Sequence, residues 1–348
     1  MKREFGTLPD GRKVHLLTLR NDQGLEAEVL TYGGILRALR LEAGDRSVPL
    51  VLGLDDLPAY LLDDLNLGRL VGRTSGRIAC GRYEHDGRTH RLSVNEGRHH
   101  LHGGSGGFGR SLWRVEEQNA DRVRLARTFE DGEDGYPGCL EAGVELRLQG
   151  TTLHVGITAL CDAPTPFDPT YHPYFNLAGD SAIPAAGQLL RVPADRYLPV
   201  DAELIPLGEI ASVDGTPFDF RLPVTPERNT DPTDPQIRMG RGYDHCLVLA
   251  SGTRCSAELY SSHSGVAMRV SSDAPALVFY EGQALDTAHP HLGRGLCLEP
   301  QGFPDAPNQA GFPDAILLPG QRYVRRIAYR FAHVDPGSHW DQAMAALA

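Results

Sequence analysis

Short runs rich in β-branched and aliphatic residues recur along the whole chain, among them residues 14–20, 25–32, 123–129, 140–148 and 152–160. Their spacing and alternation predict β-strands. Gln149-Gly150 between the last two is a hairpin signal, and Ser262-His263-Ser264-Gly265 joins a run at 257–261 to another at 266–271. With 276–280 following closely, the pattern predicts a β-meander there. Helical periodicity is weak, and only residues 58–65 and the tail 340–347 predict short helices. Frequent Gly and Pro punctuation without βαβ alternation predicts an all-β fold, a large antiparallel β-sandwich with few short helices. No composition shift or linker divides the chain, so one domain is expected over 1–348. Residues 163–179 and 223–242 are too long for hairpin connections and are expected to carry binding and catalysis.

Charge narrows the function. Lys+Arg of 34 against Asp+Glu of 45 gives a net charge of -11, the wrong sign for tracking phosphates, so no nucleic-acid partner is expected. Lys2 and Lys13 are the only lysines and both fall in the first strand region, which disfavours Schiff-base chemistry in the interior. The start of the chain lacks an apolar signal stretch, and no run reaches membrane-spanning length, so a cytoplasmic protein without a membrane partner is expected. Six cysteines lie scattered with no C-x-x-C pair; they are expected to be reduced and mostly core filler.

Four segments concentrate candidate chemistry. Residues 95–104, Asn-Glu-Gly-Arg-His-His-Leu-His-Gly-Gly, carry three histidines. A metal site through His100 and His102 would need a third ligand from elsewhere, and none is expected. The glycines at 103–109 satisfy phosphate-loop and nucleophile-elbow spacings, but both need a helix next, whereas residues 111–115 read as a strand. A glycine-rich loop permitting close backbone approach is the better reading. Thr170-Tyr171-His172-Pro173-Tyr174-Phe175-Asn176 places an imidazole among aromatic rings and an amide, a wall suited to a sugar. In Leu296-Cys297-Leu298-Glu299 an apolar strand ends in a carboxylate, and alternation aims Cys297 and Glu299 at one face. Asp244-His245 sits at the mouth of another apolar strand, where the carboxylate could cap a turn or bind a ligand.

Taken in order, seven segments resemble the aldose 1-epimerase (mutarotase) family over residues 72 to 308. They are Gly72-Arg73-Thr74-Ser75-Gly76-Arg77-Ile78, Leu101-His102-Gly103-Gly104, Asp131-Gly132-Glu133-Asp134-Gly135-Tyr136-Pro137-Gly138, the His172 loop, Gly215-Thr216-Pro217-Phe218-Asp219-Phe220-Arg221, Asp244-His245 and the Glu299 strand. The resemblance implies a galactose-mutarotase-like β-sandwich and a cofactor-independent isomerase. It implies that Glu299 removes the anomeric hydroxyl proton and that His172 protonates the ring oxygen. Arg77, His102 and Asp244 would hold sugar hydroxyls, with Tyr174 and Gly76 also lining the site. The family usually has Asn immediately before the arginine; Gly76 stands there instead, which bears on substrate preference more than on the reaction.

Such an enzyme needs a base and an acid flanking one carbon, and no cofactor, because opening and reclosing a hemiacetal exchanges only protons. The partner is a small sugar, and the chain is expected to act as a monomer or homodimer. Three alternatives stand beside this reading. A glycosidase could use Asp244 and Glu299 as its two carboxylates. A hexose-6-phosphate 1-epimerase could gather Arg73 and Arg77 on the phosphate. A non-catalytic sugar-binding protein would keep the fold and need neither acid nor base.

Overall fold

The computed structural model describes residues 1–348. Three antiparallel sheets dominate it. The first five strands, Lys2–Thr7, Lys13–Arg20, Leu25–Leu30, Leu36–Ala43 and Arg46–Pro49, form one sheet in chain order. An eight-stranded sheet runs Arg114–Gln118, Arg122–Phe129, Leu140–Gln149, Thr152–Cys161, Tyr323–His333, Val266–Ser272, Cys255–Ser261 and Leu189–Arg191. A six-stranded sheet runs Tyr174–Phe175, Leu296–Gln301, Ala276–Tyr280, Asp244–Leu249, Ala194–Tyr197 and Ala211–Ser212. No helix is long and apolar enough to cross a membrane.

Alternation explains how the larger two sheets meet. In Thr152–Cys161 the residues Leu153, Val155, Ile157 and Ala159 are buried while His154 and Leu160 are exposed. Leu296, Leu298, Leu277, Phe279 and Leu247 face inward from the six-stranded sheet and join the same buried cluster, so the two sheets sandwich one core. That cluster reaches from Leu17 to Phe331 and draws in the five-stranded sheet as well.

The opposite face of the six-stranded sheet is the one that matters for chemistry. Register aligns Asp244, Tyr280 and Cys297 in one row, Cys246, Val278 and Glu299 in the next, and Val248, Ala276 and Gln301 in the third. Cys297 and Glu299 thus share the face that alternation assigns them.

Several expectations require correction. Residues 257–261 and 266–271 pair as expected, but Ala276–Tyr280 does not complete a meander; it crosses to the six-stranded sheet and pairs with Asp244–Leu249 and Leu296–Gln301. Alternation reports which face is buried and not which sheet a strand joins. The strand expected at 111–115 begins only at Arg114, after a short 3₁₀ turn at Phe108–Arg110. There the Ser111 hydroxyl donates to the carbonyls of Gly106 and Gly107, which holds residue 111 in the turn. Only Cys161, Cys246 and Cys297 are buried, so half of the cysteines are not core filler. The stretch 163–179 contains three two-residue strands, and 223–242 contains the helices Pro226–Asn229 and Pro235–Gly240.

Candidate active site

A cavity of about 920 Å³ opens over that outer face, and Gly76, Arg77, His102, His172, Tyr174, Asp244 and Glu299 all line it. Its volume lies within the range of small-molecule sites. The residues singled out in sequence therefore converge, although they come from five separate stretches of chain.

His172 reaches the cavity because its segment stitches two sheets together. Thr170–Tyr171 pairs with Leu70–Val71, and Tyr174–Phe175 pairs with Leu296 and Cys297 beside Glu299. The Thr170 hydroxyl donates to the carbonyl of Pro300 at 2.9 Å, a further tie to the Glu299 strand. As a result His172 Nε2 stands 3.4 Å from Glu299 Oε1, with both side chains buried. Tyr174 packs its ring 5.1 Å from the imidazole, while its hydroxyl is spent on the carbonyl of Leu65 at 2.6 Å. Tyr174 is thus placed as a wall holding the ring of His172, with its own donor already committed.

Burial sets the protonation of this couple. It draws His172 down from 6.5 to about 4. It pushes Glu299 well above the ordinary carboxylate range, and the neighbouring charge of Asp244 pushes the same way. Both effects favour a neutral couple, with the proton on Glu299 and none on His172. One hydrogen-bonding atom of each, His172 Nδ1 and Glu299 Oε2, is buried without a partner. Such groups are costly to leave unpaired, and functional sites are where proteins keep them.

Arg77 is held by a residue that sequence reasoning passed over. Its Nε and Nη2 donate to the two oxygens of Glu96, each at 2.7 Å, and its Nη1 lies 3.8 Å from Asp244 Oδ2. Burial opposes the charge on Arg77, yet the Glu96 hydrogen bonds and Asp244 carry it above its ordinary value. Asp244 is raised by burial, against the pull of Arg77. Glu96 lies inside the histidine-rich segment, where the histidines drew attention instead. Gln301 also lines the cavity, and extending the alternation Cys297, Glu299 by one step would have found it.

His102 takes a left-handed φ of +53° and stands edge-on to His172 with ring centroids 5.5 Å apart. The N–H of Gly76 donates to its Nδ1 at 3.2 Å. In the neutral ring the proton then belongs to Nε2. Burial first, then His172 and Arg77, hold His102 well below its ordinary value, so it stays neutral. Gly76 itself has φ +69°, and a Cβ there would come within 2.9 Å of Pro304. A side chain in place of Gly76 needs Pro304 to move, which accounts locally for the glycine.

Of the segment's other two histidines, His100 is structural and His99 lines the cavity. His100 is fully buried with Nδ1 at 2.7 Å from the Ser93 carbonyl and Nε2 at 2.7 Å from the Tyr136 hydroxyl. His99 Nδ1 accepts the N–H of Cys80. Both nitrogens of His100 are engaged and unavailable to a metal. The glycines after His102 serve close approach: a Cβ on Gly103 would lie 1.7 Å from the carbonyl oxygen of Gly72. Arg73, a candidate phosphate ligand, points away from the cavity and donates to the carbonyls of Pro137 and Gly138 and to Thr165 Oγ1.

The outer face of the six-stranded sheet thus carries a buried imidazole–carboxylate couple beside the cavity. Residues 15–330 match the model of the family described as aldose 1-epimerase. The chain is 37% identical over 339 residues to the galactose mutarotase of Bos taurus, covering 94% of this chain and 97% of the relative. It is 36% identical over 337 residues to the aldose 1-epimerase of Escherichia coli K12, covering 93% and 96%. The crystal structure of galactose 1-epimerase from Lactobacillus acidophilus superposes with a TM-score of 0.85 at 30% identity, covering 96% of this chain and 98% of that one. The chain belongs to the aldose 1-epimerase family.

Proposed function

We propose that this isomerase interconverts the α and β anomers of free aldoses such as glucose and galactose, with Glu299 as base and His172 as acid. The observation that carries the assignment is the 3.4 Å His172–Glu299 couple at the cavity floor, each member with a buried atom left unpaired. The reaction needs one proton taken from the C1 hydroxyl and one delivered to the ring oxygen. The ionic couple, carboxylate plus imidazolium, does both, and in doing so becomes the neutral couple that burial favours. Ring closure from the other aldehyde face restores the ionic form. The couple holds one proton throughout in total, so no proton from solvent is required for a turnover. Each well-placed group contributes roughly 10² to 10⁴-fold.

Arg77, His102 and Asp244 hold sugar hydroxyls in this reading. His102 offers an Nε2–H donor, and Asp244 offers carboxylate oxygens. Tyr174 and Gly76 shape the wall. The phosphorylated-hexose alternative loses its two arginines, since Arg73 is occupied by carbonyls outside the cavity and Arg77 is clamped by Glu96. In the same reading the chain works in the cytoplasm on free sugar, apart from nucleic acid and membrane, as one domain over 1–348 and as a monomer or homodimer. The net charge of -11 and the core shared from Leu17 to Phe331 support it.

Polarimetry of freshly dissolved α-glucose and α-galactose tests the assignment. Acceleration of both over the spontaneous rate is expected, with glucose 6-phosphate turned over far more slowly. A rate equal to the blank for both free sugars would overturn it.

A further inference from the structure

Outside the cavity, one buried carboxylate touches two of the segments that build the site. Asp168 Oδ2 accepts the N–H of Gly302 at 2.7 Å, one residue beyond Gln301 on the Glu299 strand. The Ser75 hydroxyl, two residues before Arg77, donates to the Asp168 carbonyl at 2.6 Å and lies 3.3 Å from Oδ2. Backbone bonds strengthen that link: Ser75 N–H donates to the Asp168 carbonyl at 2.8 Å, and Asp168 N–H donates to the Arg73 carbonyl at 2.9 Å. Asp168 also lies four residues before His172 in the chain. Its Oδ1 accepts from Arg325 Nη2 at 3.0 Å, and both partners are buried. Gly302 permits the approach, since a Cβ there would stand 3.0 Å from Oδ2.

Burying an aspartate costs free energy unless it is paired and hydrogen-bonded, so such a group at this junction calls for a reason. We propose that Asp168 is a positioning residue that locks the Arg77 loop and the Glu299 strand into one geometry, with Arg325 as the countercharge that makes its burial tolerable. It touches no reacting atom. It acts by denying the carboxylate and the sugar-holding arginine independent movement, and misplacement of about 1 Å can cost on the order of 10²-fold in rate. The inference rests on the anomer-interconverting reading of the cavity for its rate measurement, and on sugar affinity otherwise.

Four variants test it: Asp168→Ala, Asp168→Asn, Arg325→Met and the double Asp168→Ala/Arg325→Met. Each is assayed for kcat and KM by polarimetry, for galactose affinity by calorimetry and for melting temperature. Asp168→Ala is expected to lower kcat about 10²-fold and weaken galactose binding. Asp168→Asn keeps an oxygen for the Gly302 N–H and should stay within about threefold of the parent, because a neutral hydrogen bond is roughly half as strong as a charged one. The double variant should recover the melting temperature lost with the stranded Arg325 while kcat stays low. Recovery of kcat together with stability would reduce Asp168 to a folding role and overturn the proposal. If Asp168→Ala does not fold, the double variant decides, because it loses the carboxylate without stranding Arg325: an unchanged KM and galactose affinity would overturn the proposal. A parent protein that binds galactose without accelerating its mutarotation would sink the activity assignment, and the affinity series would still judge Asp168.

Discussion

At the scale of single residues, the distinctive feature is a couple whose members are both pushed toward neutrality by burial. Replacing Glu299 by Gln keeps the shape of the site and removes the base we propose. Mutarotation should fall by roughly 10²-fold or more, while galactose still binds; polarimetry and calorimetry on one preparation separate the two effects, and an unchanged rate would exclude Glu299 as base. The pH profile follows from the same shifts. An unperturbed imidazole and carboxylate would share one proton only between about 4.3 and 6.5. Here His172 takes up a second proton only near pH 4, and Glu299 gives up its proton well above its ordinary range. On the acid side the one-proton form is therefore lost only near pH 4, and kcat/KM should hold level down to about pH 5. A decline centred near 6.5 would show an ordinary histidine instead. Stability carries the opposite signs for the two groups. The unfolded chain protonates His172 at 6.5 and the folded chain only near 4, so this contribution is present above 6.5 and is lost as pH falls toward 4. The raised Glu299 contributes below its unfolded value of 4.5, and that is lost as pH rises through its folded value.

At the scale of elements, the glycine-rich turn after His102 illustrates how a motif can be read correctly by what it lacks. No helix follows long enough to present phosphate-binding amides, and the glycines instead let the turn press against residue 72. Gly103→Ala should therefore be severe, because its Cβ would overlap the Gly72 carbonyl at 1.7 Å. Gly87 has a similar positive φ of +70° with open space around it, so Gly87→Ala should cost only the left-handed strain of about 1–2 kcal/mol. Thermal melts of the two variants check this; equal losses would show that backbone strain, and not the close approach, governs Gly103. The hairpin at Leu140–Gln149 and Thr152–Cys161 was legible almost to the residue because strong alternation flanks a glycine turn at Gly150. The sheet membership of Ala276–Tyr280 was not, since alternation is local and sheet pairing is not. The helix Pro235–Gly240 carries a readable signal that the strand pattern obscured: Asp234 caps it by accepting from the N–H groups of Gln236 and Ile237, with Pro at the first turn. That His172, Glu299, Arg77, His102 and Asp244 meet at one cavity was legible through their order along the chain. Glu96 and Asp168 were not, because a carboxylate that holds another side chain has no local pattern of its own.

At the scale of the whole molecule, charge should sort the sugars that use the cavity. Asp64, Glu96, Glu203 and Asp244 line it against the arginines Arg77 and Arg241, Arg77 is already bound to Glu96 and close to Asp244, and Glu299 is held toward neutrality by burial. The chain around it carries a net charge of -11. A neutral hexose meets this field without penalty, because its hydroxyls both donate and accept. A uronic acid or a sugar phosphate brings an anion toward carboxylates with few free cations to receive it, and charge repulsion is felt already in its approach. Galacturonate differs from galactose only at C6, so the reacting end is the same and the comparison isolates charge. Its kcat/KM should be at least about tenfold lower at low ionic strength, with the gap narrowing as salt shortens the Debye length from about 30 Å at 0.01 M to about 10 Å at 0.1 M. The comparison is read by polarimetry across a salt series. Equal turnover of the two sugars would mean that C6 projects out of the cavity into solvent. A gap insensitive to salt would place the discrimination in direct contact with a buried carboxylate, where mobile ions do not reach.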